Sequence, residues 1–206
     1  MSDTLALILA AGEGTRMKSG LPKVLHPVCG RPLIDWALHA AAAVDPQPVV
    51  IVGYGRDRVM EHLQGRARFA VQAEQLGTGH AVMMAREYLQ GFRGAVVVMA
   101  GDMPLIRGET IRALVERVEA GAAVALLSAM AEEPFGYGRI LRDGTGAVRG
   151  IVEERDATDA QRAIREVNAS VYAFRCEQLL SVLDQLTANN AQRQYYLTDA
   201  VHMLIQ

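Results

Sequence analysis

The chain has 206 residues, half of them hydrophobic and 21% charged, with a formal net charge of −2. This length fits one α/β domain with a substantial core, and the composition excludes intrinsic disorder and a broad basic surface for nucleic acid. The two cysteines lack CxxC spacing, and no apolar stretch approaches the roughly 20 residues of a membrane-spanning helix. We expect a soluble, cytoplasmic protein without nucleic-acid or membrane partners.

Strands and helices alternate in the first part of the sequence. Continuous apolar runs, which are typical of strands buried on both faces, lie at residues 5–9, 49–52 and 95–99. Segments with helical periodicity lie at residues 33–41, 59–63, 81–89 and 111–118. This alternation predicts βαβ units and a Rossmann-like, doubly wound, mostly parallel sheet.

The pattern changes after residue 120 to short strands separated by turn residues. They are predicted at residues 124–129, 137–141, 148–152 and 167–174. Asp143-Gly144 is a hairpin signal between two of them. The second part therefore predicts a small, partly antiparallel extension of the same α/β domain, with the functional cleft between the two halves.

The loop after the first strand carries glycines and cations. Gly12 and Gly14 allow backbone N–H groups to approach an anion, and the loop lies where α/β sheets bind ligands. Met17 breaks the GxGxxG pattern of dinucleotide sites, and no Walker lysine follows, so hydride transfer and P-loop hydrolysis lose support. Arg16 and Lys23 could flank a triphosphate and stabilise departing pyrophosphate, although a turn with solvated charges has the same pattern.

Several ordered motifs make a family resemblance specific. They are LILAAGEGTRMKSGLPKVLHPVCGRPL, QAEQLGTGHA, GDMPLI, GYGRI, GIVEERDAT, EVNAS and NNAQRQYYLTD. Together they resemble the nucleoside-diphosphate-sugar pyrophosphorylases, and in detail the uridyltransferase domains of bacterial bifunctional enzymes that make UDP-N-acetylglucosamine for the cell wall. The resemblance implies the nucleotide-diphospho-sugar transferase fold, with residues 1–120 as the nucleotide-binding half and residues 121–206 as the sugar-binding half. It also implies transfer of a uridylyl group from UTP to N-acetylglucosamine 1-phosphate.

The same resemblance assigns roles to the first half. Its nucleotide-binding residues would be Leu9, Ala10, Ala11, Gly12, Gln72, Gly77 and Thr78, with Arg16 and Lys23 on the phosphates as catalytic groups. Gln72 is expected at the end of a strand, where its amide offers uracil one acceptor and two donors. Without the resemblance, a glutamine near a glycine turn is usually just a polar loop residue. We interpret the nearby His80 as structural.

A metal and a sugar complete the predicted site. Asp102 follows a buried strand, where a carboxylate suits Mg²⁺, although an aspartate that caps the turn before Pro104 has the same pattern. By the resemblance, the residues that hold the acetamido sugar are Gly101, Gly138, Glu153 and Asn168.

Three departures from the family pattern leave alternatives open. Ala100 stands where the family usually has tyrosine, and Ala169-Ser170 stand where it has Thr-Gly. The family's second metal-binding asparagine lies in a motif that this sequence does not contain. The chain is thus expected to be part of a longer protein, which could be a homo-oligomer, or a short relative. The alternatives are a non-catalytic nucleotide-sugar binding module and a transferase for another base or sugar.

Overall fold

The computed structural model describes residues 4–205, except for the side chain of Arg16. Its strands are β1 (Thr4–Ala10), β2 (Pro27–Val28), β3 (Arg31–Pro32), β4 (Val49–Val52), β5 (Arg68–Val71), β6 (Ala95–Ala100), β7 (Val124–Met130), β8 (Arg139–Arg142), β9 (Val148–Val152) and β10 (Glu166–Arg175). Its α-helices are α1 (Leu33–Ala41), α2 (Arg56–His62), α3 (Thr78–Met84), α4 (Arg86–Leu89), α5 (Gly108–Glu119), α6 (Asp159–Arg162), α7 (Cys176–Leu183) and α8 (Leu197–Ile205).

Four parallel strands form the first half of an eight-stranded sheet, in the order β5-β4-β1-β6. Their apolar side chains pack against helices on both faces, which explains the unbroken hydrophobic runs. In β1, for example, Leu5 and Leu7 face one core cluster, while Ala6 and Ile8 face the other. We call these four strands the parallel half.

Strand β10 joins the parallel half to the strands that follow. It runs antiparallel to β6, with Val171 opposite Met99, and β7 pairs along its other edge. The β10–β7 register shifts between Asn168 and Tyr172, and ahead of this irregularity Val167 pairs with Arg139 of β8. The β8–β9 hairpin completes the sheet. We call β7 to β10 the antiparallel half.

The predicted mixed sheet is confirmed, with differences in detail. The helix expected over residues 81–89 is wrong as one element, because Ala85 takes a turn conformation between α3 and α4. That turn leaves Val82 and Leu89 both buried against the same core cluster. The strand expected from Tyr137 begins only at Arg139. Within residues 4–205, no helix has the length and apolar character needed to cross a membrane.

Candidate functional site

The loop after β1 brings Lys23 back toward the sheet. Gly14 adopts a left-handed conformation (φ 66°) just before a short 3-10 helix, Thr15–Met17. A Cβ on Gly14 would lie 2.6 Å from the Cβ of Lys23, so only glycine lets the lysine pass so closely. The fold therefore uses Gly14 to place Lys23, while the side chain of Arg16, the other predicted cation, lies outside the described part of the chain.

Lys23 meets Asp102 in an ion pair between its Nζ and Oδ2 of the carboxylate. Both side chains remain partly open to solvent, at 38% for Lys23 and 26% for Asp102. The preceding Gly101 donates its N–H to the carbonyl of Leu9 at 2.9 Å, and a Cβ there would lie 3.1 Å from the same oxygen. Close strand packing thus accounts for this glycine and fixes the start of the Asp102 loop.

The backbone of the loop after β1 is open where a nucleotide was predicted. A Cβ built on Gly12 would meet no heavy atom within 4 Å, and Gly12 itself is exposed. Ala10 and Ala11 are buried and hold the loop against the sheet, partly through a 3.0 Å hydrogen bond from the N–H of Tyr54 to the carbonyl of Ala11. Leu9 is half-buried at the end of β1.

Gln72 lies directly after β5 at the same edge of the sheet and is only 3% exposed. Its Nε2 donates to the carbonyl of Gly77 and to Nδ1 of His80, both at 3.0 Å. These two bonds use both amide hydrogens, so the oxygen is what remains for a bound base. The sequence suggested that acceptor and donors could both serve uracil, whereas the structure leaves the acceptor.

The loop that follows Gln72 is held by the segment before α8. Gly77 (φ 109°) passes so close to Tyr195 that a Cβ would lie 2.5 Å from the carbonyl of Tyr195. Thr78 accepts the N–H of Leu197 through its Oγ1 at 3.0 Å. Gly79 donates its N–H to the carbonyl of Tyr195 at 2.8 Å. The predicted base-binding loop is therefore ordered by residues more than 110 positions away.

The predicted sugar residues of the antiparallel half come together. A Cβ on Gly138 would lie 3.5 Å from the Cβ of Asn168 and 3.6 Å from Oε2 of Glu153. Asn168 also donates its backbone N–H to the carbonyl of Gly138 at 2.8 Å. Because β10 runs antiparallel to β6, the residues before Val171 reach past the end of β6, toward the loop that carries Asp102.

Glu153 is held as a half-buried carboxylate. Its Oε1 accepts the hydroxyl of Thr198 at 3.0 Å. Burial raises the pKa of Glu153, the Thr198 hydrogen bond opposes that rise, and the charges of Asp156 and Asp199 add to it. A carboxylate that has lost hydrating water can accept hydrogen bonds from ligand hydroxyls in its place.

Asn168 is fixed from both sides of its amide. Its Nδ2 contacts the hydroxyl of Tyr172 at 2.6 Å, and its Oδ1 accepts the N–H of Ser170 at 3.1 Å. Asn168 and Tyr172 are both buried, and burial raises the pKa of the tyrosine. The amide orientation is thus set before any ligand arrives.

Sequence reasoning missed Thr198, Tyr195 and Tyr172 as supports of the site. The first two lie in the NNAQRQYYLTD run, so the motif marked the segment but gave no contacts. The predicted metal ligand Asp102 stands alone, since no group of three or more His, Cys, Asp or Glu side chains within residues 4–205 is arranged to hold an ion. A single carboxylate fits Mg²⁺ only where substrate phosphates and water supply the other ligands.

Comparison with known proteins gives one family for this fold. The model of the MobA-like NTP transferase domain matches residues 6–195. A bifunctional protein GlmU of Pelotomaculum thermopropionicum is 48% identical over 206 residues, covering 99% of this chain and 45% of that protein. A bifunctional protein GlmU of Thermobifida fusca is 52% identical over 207 residues, covering 96% of this chain and 43% of that protein. The chain thus spans somewhat less than half the length of these relatives.

Two solved structures share the fold at low sequence identity. One is described as a glucose-1-phosphate thymidylyltransferase from Bacillus anthracis in complex with a sucrose, with a TM-score of 0.78 and 17% identity over 98% of this chain and 82% of that chain. The other is a UDP-glucose pyrophosphorylase complexed with UDP-glucose, with a TM-score of 0.74 and 18% identity over 100% of this chain and 87% of that chain. Both support the mixed α/β architecture.

Proposed function

Because the chain belongs to the MobA-like NTP transferase domain family, we propose that it transfers a uridylyl group from UTP to N-acetylglucosamine 1-phosphate. The products are UDP-N-acetylglucosamine and pyrophosphate. The observation that supports the proposal most is the strand topology, which directs three groups toward the carboxyl ends of the parallel strands. They are the Lys23–Asp102 pair, Gln72 with the loop that it contacts, and the trio of Gly138, Glu153 and Asn168.

The reaction is an in-line displacement at the α-phosphorus of UTP. A phosphate oxygen of the sugar phosphate forms the new P–O bond, while the bond from the α-phosphorus to the bridging oxygen breaks and pyrophosphate leaves with that electron pair. A phosphate oxygen is already a nucleophile, so no covalent enzyme intermediate and no general base are needed. Lys23 has the charge and the partial exposure to bind the triphosphate and stabilise departing pyrophosphate.

Asp102 is the group that would hold Mg²⁺, with substrate phosphates as the other ligands. Its carboxylate is a hard oxygen donor, partly exposed, next to the open loop around Gly12. Bound Mg²⁺ would supply neutralisation of phosphate charge. Before substrate binds, Asp102 keeps Lys23 at the site through their ion pair.

The two substrates would be oriented by opposite ends of this edge. The base lies near Gln72, Gly77 and Thr78, and the acetamido sugar lies against Glu153 and Asn168. The segment at the start of α8 connects the two ends, since consecutive residues contact Thr78 and Glu153. Because one segment holds both ends, the base and the sugar would keep a fixed relation that favours the in-line geometry of the displacement.

Release of pyrophosphate by the purified chain with UTP, N-acetylglucosamine 1-phosphate and Mg²⁺ tests the proposal. Asp102→Asn keeps the size of the side chain and removes its charge, so release should fall by at least about a hundredfold. Asp57→Asn is the matched control, because the Asp57 side chain is 94% exposed on α2, and its release should stay normal. A melting shift with UDP-N-acetylglucosamine but no release in the unmodified chain would instead support the non-catalytic binding module.

A further inference from the structure

Two contacts together hold one orientation of the Gln72 amide, and the first is with Gly77. A backbone carbonyl can accept a hydrogen bond but cannot donate one, and the carbonyl of Gly77 lies 3.0 Å from the Gln72 amide nitrogen. Turning the amide over would place two oxygens against each other. Gln72 is nearly fully buried, so water is not at hand to relieve that contact.

His80 reinforces the same orientation from a second side. Its Nδ1 lies 3.0 Å from Nε2 of Gln72, and an amide nitrogen can only donate, so Nδ1 must act as the acceptor. A ring with an accepting Nδ1 is neutral and carries its proton on Nε2. The ring of Tyr195 lies 6.2 Å from the His80 ring, centroid to centroid, on the segment that orders the loop.

We propose that His80 is a positioning residue for base selection, which fixes the Gln72 carbonyl oxygen toward the base. This inference rests on the proposed function, since it concerns the base of the nucleotide bound there. An oxygen acceptor matches the N3–H of uracil, whereas the N3 of cytosine presents a lone pair and is repelled. His80 therefore contributes to the choice of UTP over CTP without touching either nucleotide.

Two substitutions separate this role from simple packing. His80→Leu removes the acceptor at Nδ1 and introduces an apolar side chain of similar bulk. His80→Asn keeps an oxygen acceptor that branches from Cγ, as Nδ1 does in histidine. Dissociation constants for UTP and for CTP, measured by calorimetry on the unmodified chain and both variants, give the ratio that matters.

We expect the CTP/UTP ratio of dissociation constants to fall by about tenfold in His80→Leu and to stay near the original value in His80→Asn. A UTP-selective chain whose ratio is unchanged in His80→Leu overturns the role of His80 alone. An unmodified chain with no preference for UTP overturns the uridylyl assignment, and the inference with it. If His80 only packs, His80→Leu would weaken the binding of UTP and CTP equally and lower the melting temperature.

The tautomer of His80 provides a test that needs no nucleotide. Long-range ¹H–¹⁵N NMR spectra of the unmodified chain at pH 7.5 should show Nε2 protonated and Nδ1 bare. A proton on Nδ1 would mean that Nδ1 cannot accept from Gln72, and the inference would be wrong whether or not the chain transfers uridylyl groups. This readout also decides the matter if His80→Leu does not fold.

Discussion

The two halves of the sheet present their predicted site residues in different ways. In the parallel half, these residues lie on loops beyond buried strands, where Lys23 and Asp102 are partly exposed and Gly12 offers open backbone. In the antiparallel half, Glu153 and Asn168 lie at strand ends and are held by hydrogen bonds to Thr198 and Tyr172. Apart from the buried Gln72, the parallel half presents loops and charges, whereas the antiparallel half presents buried or half-buried polar side chains with partners already in place.

The difference separates two kinds of functional residue. A partly exposed charge on a loop contributes little to folding, so its loss should reduce turnover and leave stability unchanged. A buried polar group belongs to a hydrogen-bond network, so its loss should reduce both ligand affinity and stability. Each prediction below tests one side of this contrast.

The largest effect is expected in the parallel half, from Lys23→Ala. Loss of a positioned cation next to a departing pyrophosphate removes about 3–4 kcal/mol of transition-state stabilisation, which lowers turnover by about 10²–10³-fold. The melting temperature should change little, because the Lys23–Asp102 pair is partly exposed. Steady-state pyrophosphate release and thermal melting on the same sample measure both quantities.

Lys18→Ala is the control for that experiment, since Lys18 is an exposed lysine of the same loop. Turnover of this variant should remain within about twofold of normal. If Lys18→Ala and Lys23→Ala lose equal activity, the loop acts through its general charge, and no special role belongs to Lys23. If Lys23→Ala melts several degrees lower, the expectation that a partly exposed charge of the parallel half contributes little to stability is wrong.

In the antiparallel half, Asn168→Ala should cost both stability and sugar binding. The substitution leaves the buried hydroxyl of Tyr172 and the N–H of Ser170 without their amide partner. We expect the free energy of unfolding to fall by about 2 kcal/mol and the KM for the sugar phosphate to rise, with the KM for UTP nearly unchanged. Urea denaturation and initial rates give these values.

Tyr172→Phe sharpens the same test. It removes the hydroxyl that contacts Asn168 and leaves the amide held on one side, by the N–H of Ser170. It should therefore lower stability by about 1 kcal/mol and raise the sugar KM less than Asn168→Ala does. A normal sugar KM in both variants would show that Asn168 only supports the strand irregularity in β10 and contacts no sugar.

The sequence predicted the sheet better than it predicted the supports of the site. The runs at residues 49–52 and 95–99 are apolar on both faces, a pattern that only a doubly covered strand requires, and both strands are present. Helix α7 was missed because β10 leads into it through Arg175-Cys176, without the glycine or proline that usually marks such a boundary.

The contacts of Thr198 and Tyr195 could not be predicted, for a different reason. Their partners Glu153 and Gly77 lie 45 and 118 positions away along the chain, and they meet only after α8 packs beside α3 and β9. Hydrophobic periodicity places a helix but says nothing about which loop its first residues will contact. The sequence pattern therefore did not predict these long-range polar contacts.

Glu153→Gln should reverse the usual sign of a substitution in the antiparallel half. Burial and the charges of Asp156 and Asp199 raise the pKa of Glu153, so between the ordinary and the raised pKa the folded chain binds this proton more tightly than the unfolded chain does. Above the raised pKa, the charged carboxylate destabilises the fold, and glutamine should raise the melting temperature by a few degrees. This gain in melting temperature should shrink as the pH falls toward the ordinary pKa of glutamate.

Glu154→Gln is the matched neighbour with the opposite sign. The N–H of Gly136 and the guanidinium of Arg139 lower the pKa of Glu154. The charge of Glu154 therefore stabilises the fold at pH values above the ordinary pKa of glutamate, and the variant should melt at a lower temperature at neutral pH. Thermal melting of both variants from pH 4 to pH 8 checks the two trends, and parallel curves would contradict the charge argument.

The smallest effect is expected at Ser170, in the irregular part of β10. Ser170 has a left-handed backbone (φ 55°), which costs a side-chain-bearing residue about 1 kcal/mol and costs glycine almost nothing. Ser170→Gly restores the residue of the family pattern. Glycine loses more conformational entropy on folding, which offsets part of the relieved strain, so the substitution should add about 0.5 kcal/mol to the free energy of unfolding. Ala169→Gly, one residue earlier where φ is not positive, should instead remove about 0.5–1 kcal/mol.

Urea denaturation of the Ser170→Gly and Ala169→Gly variants compares them directly. Equal destabilisation by both glycines would mean that the serine contributes through its hydroxyl, and that this turn is another part of the buried polar network.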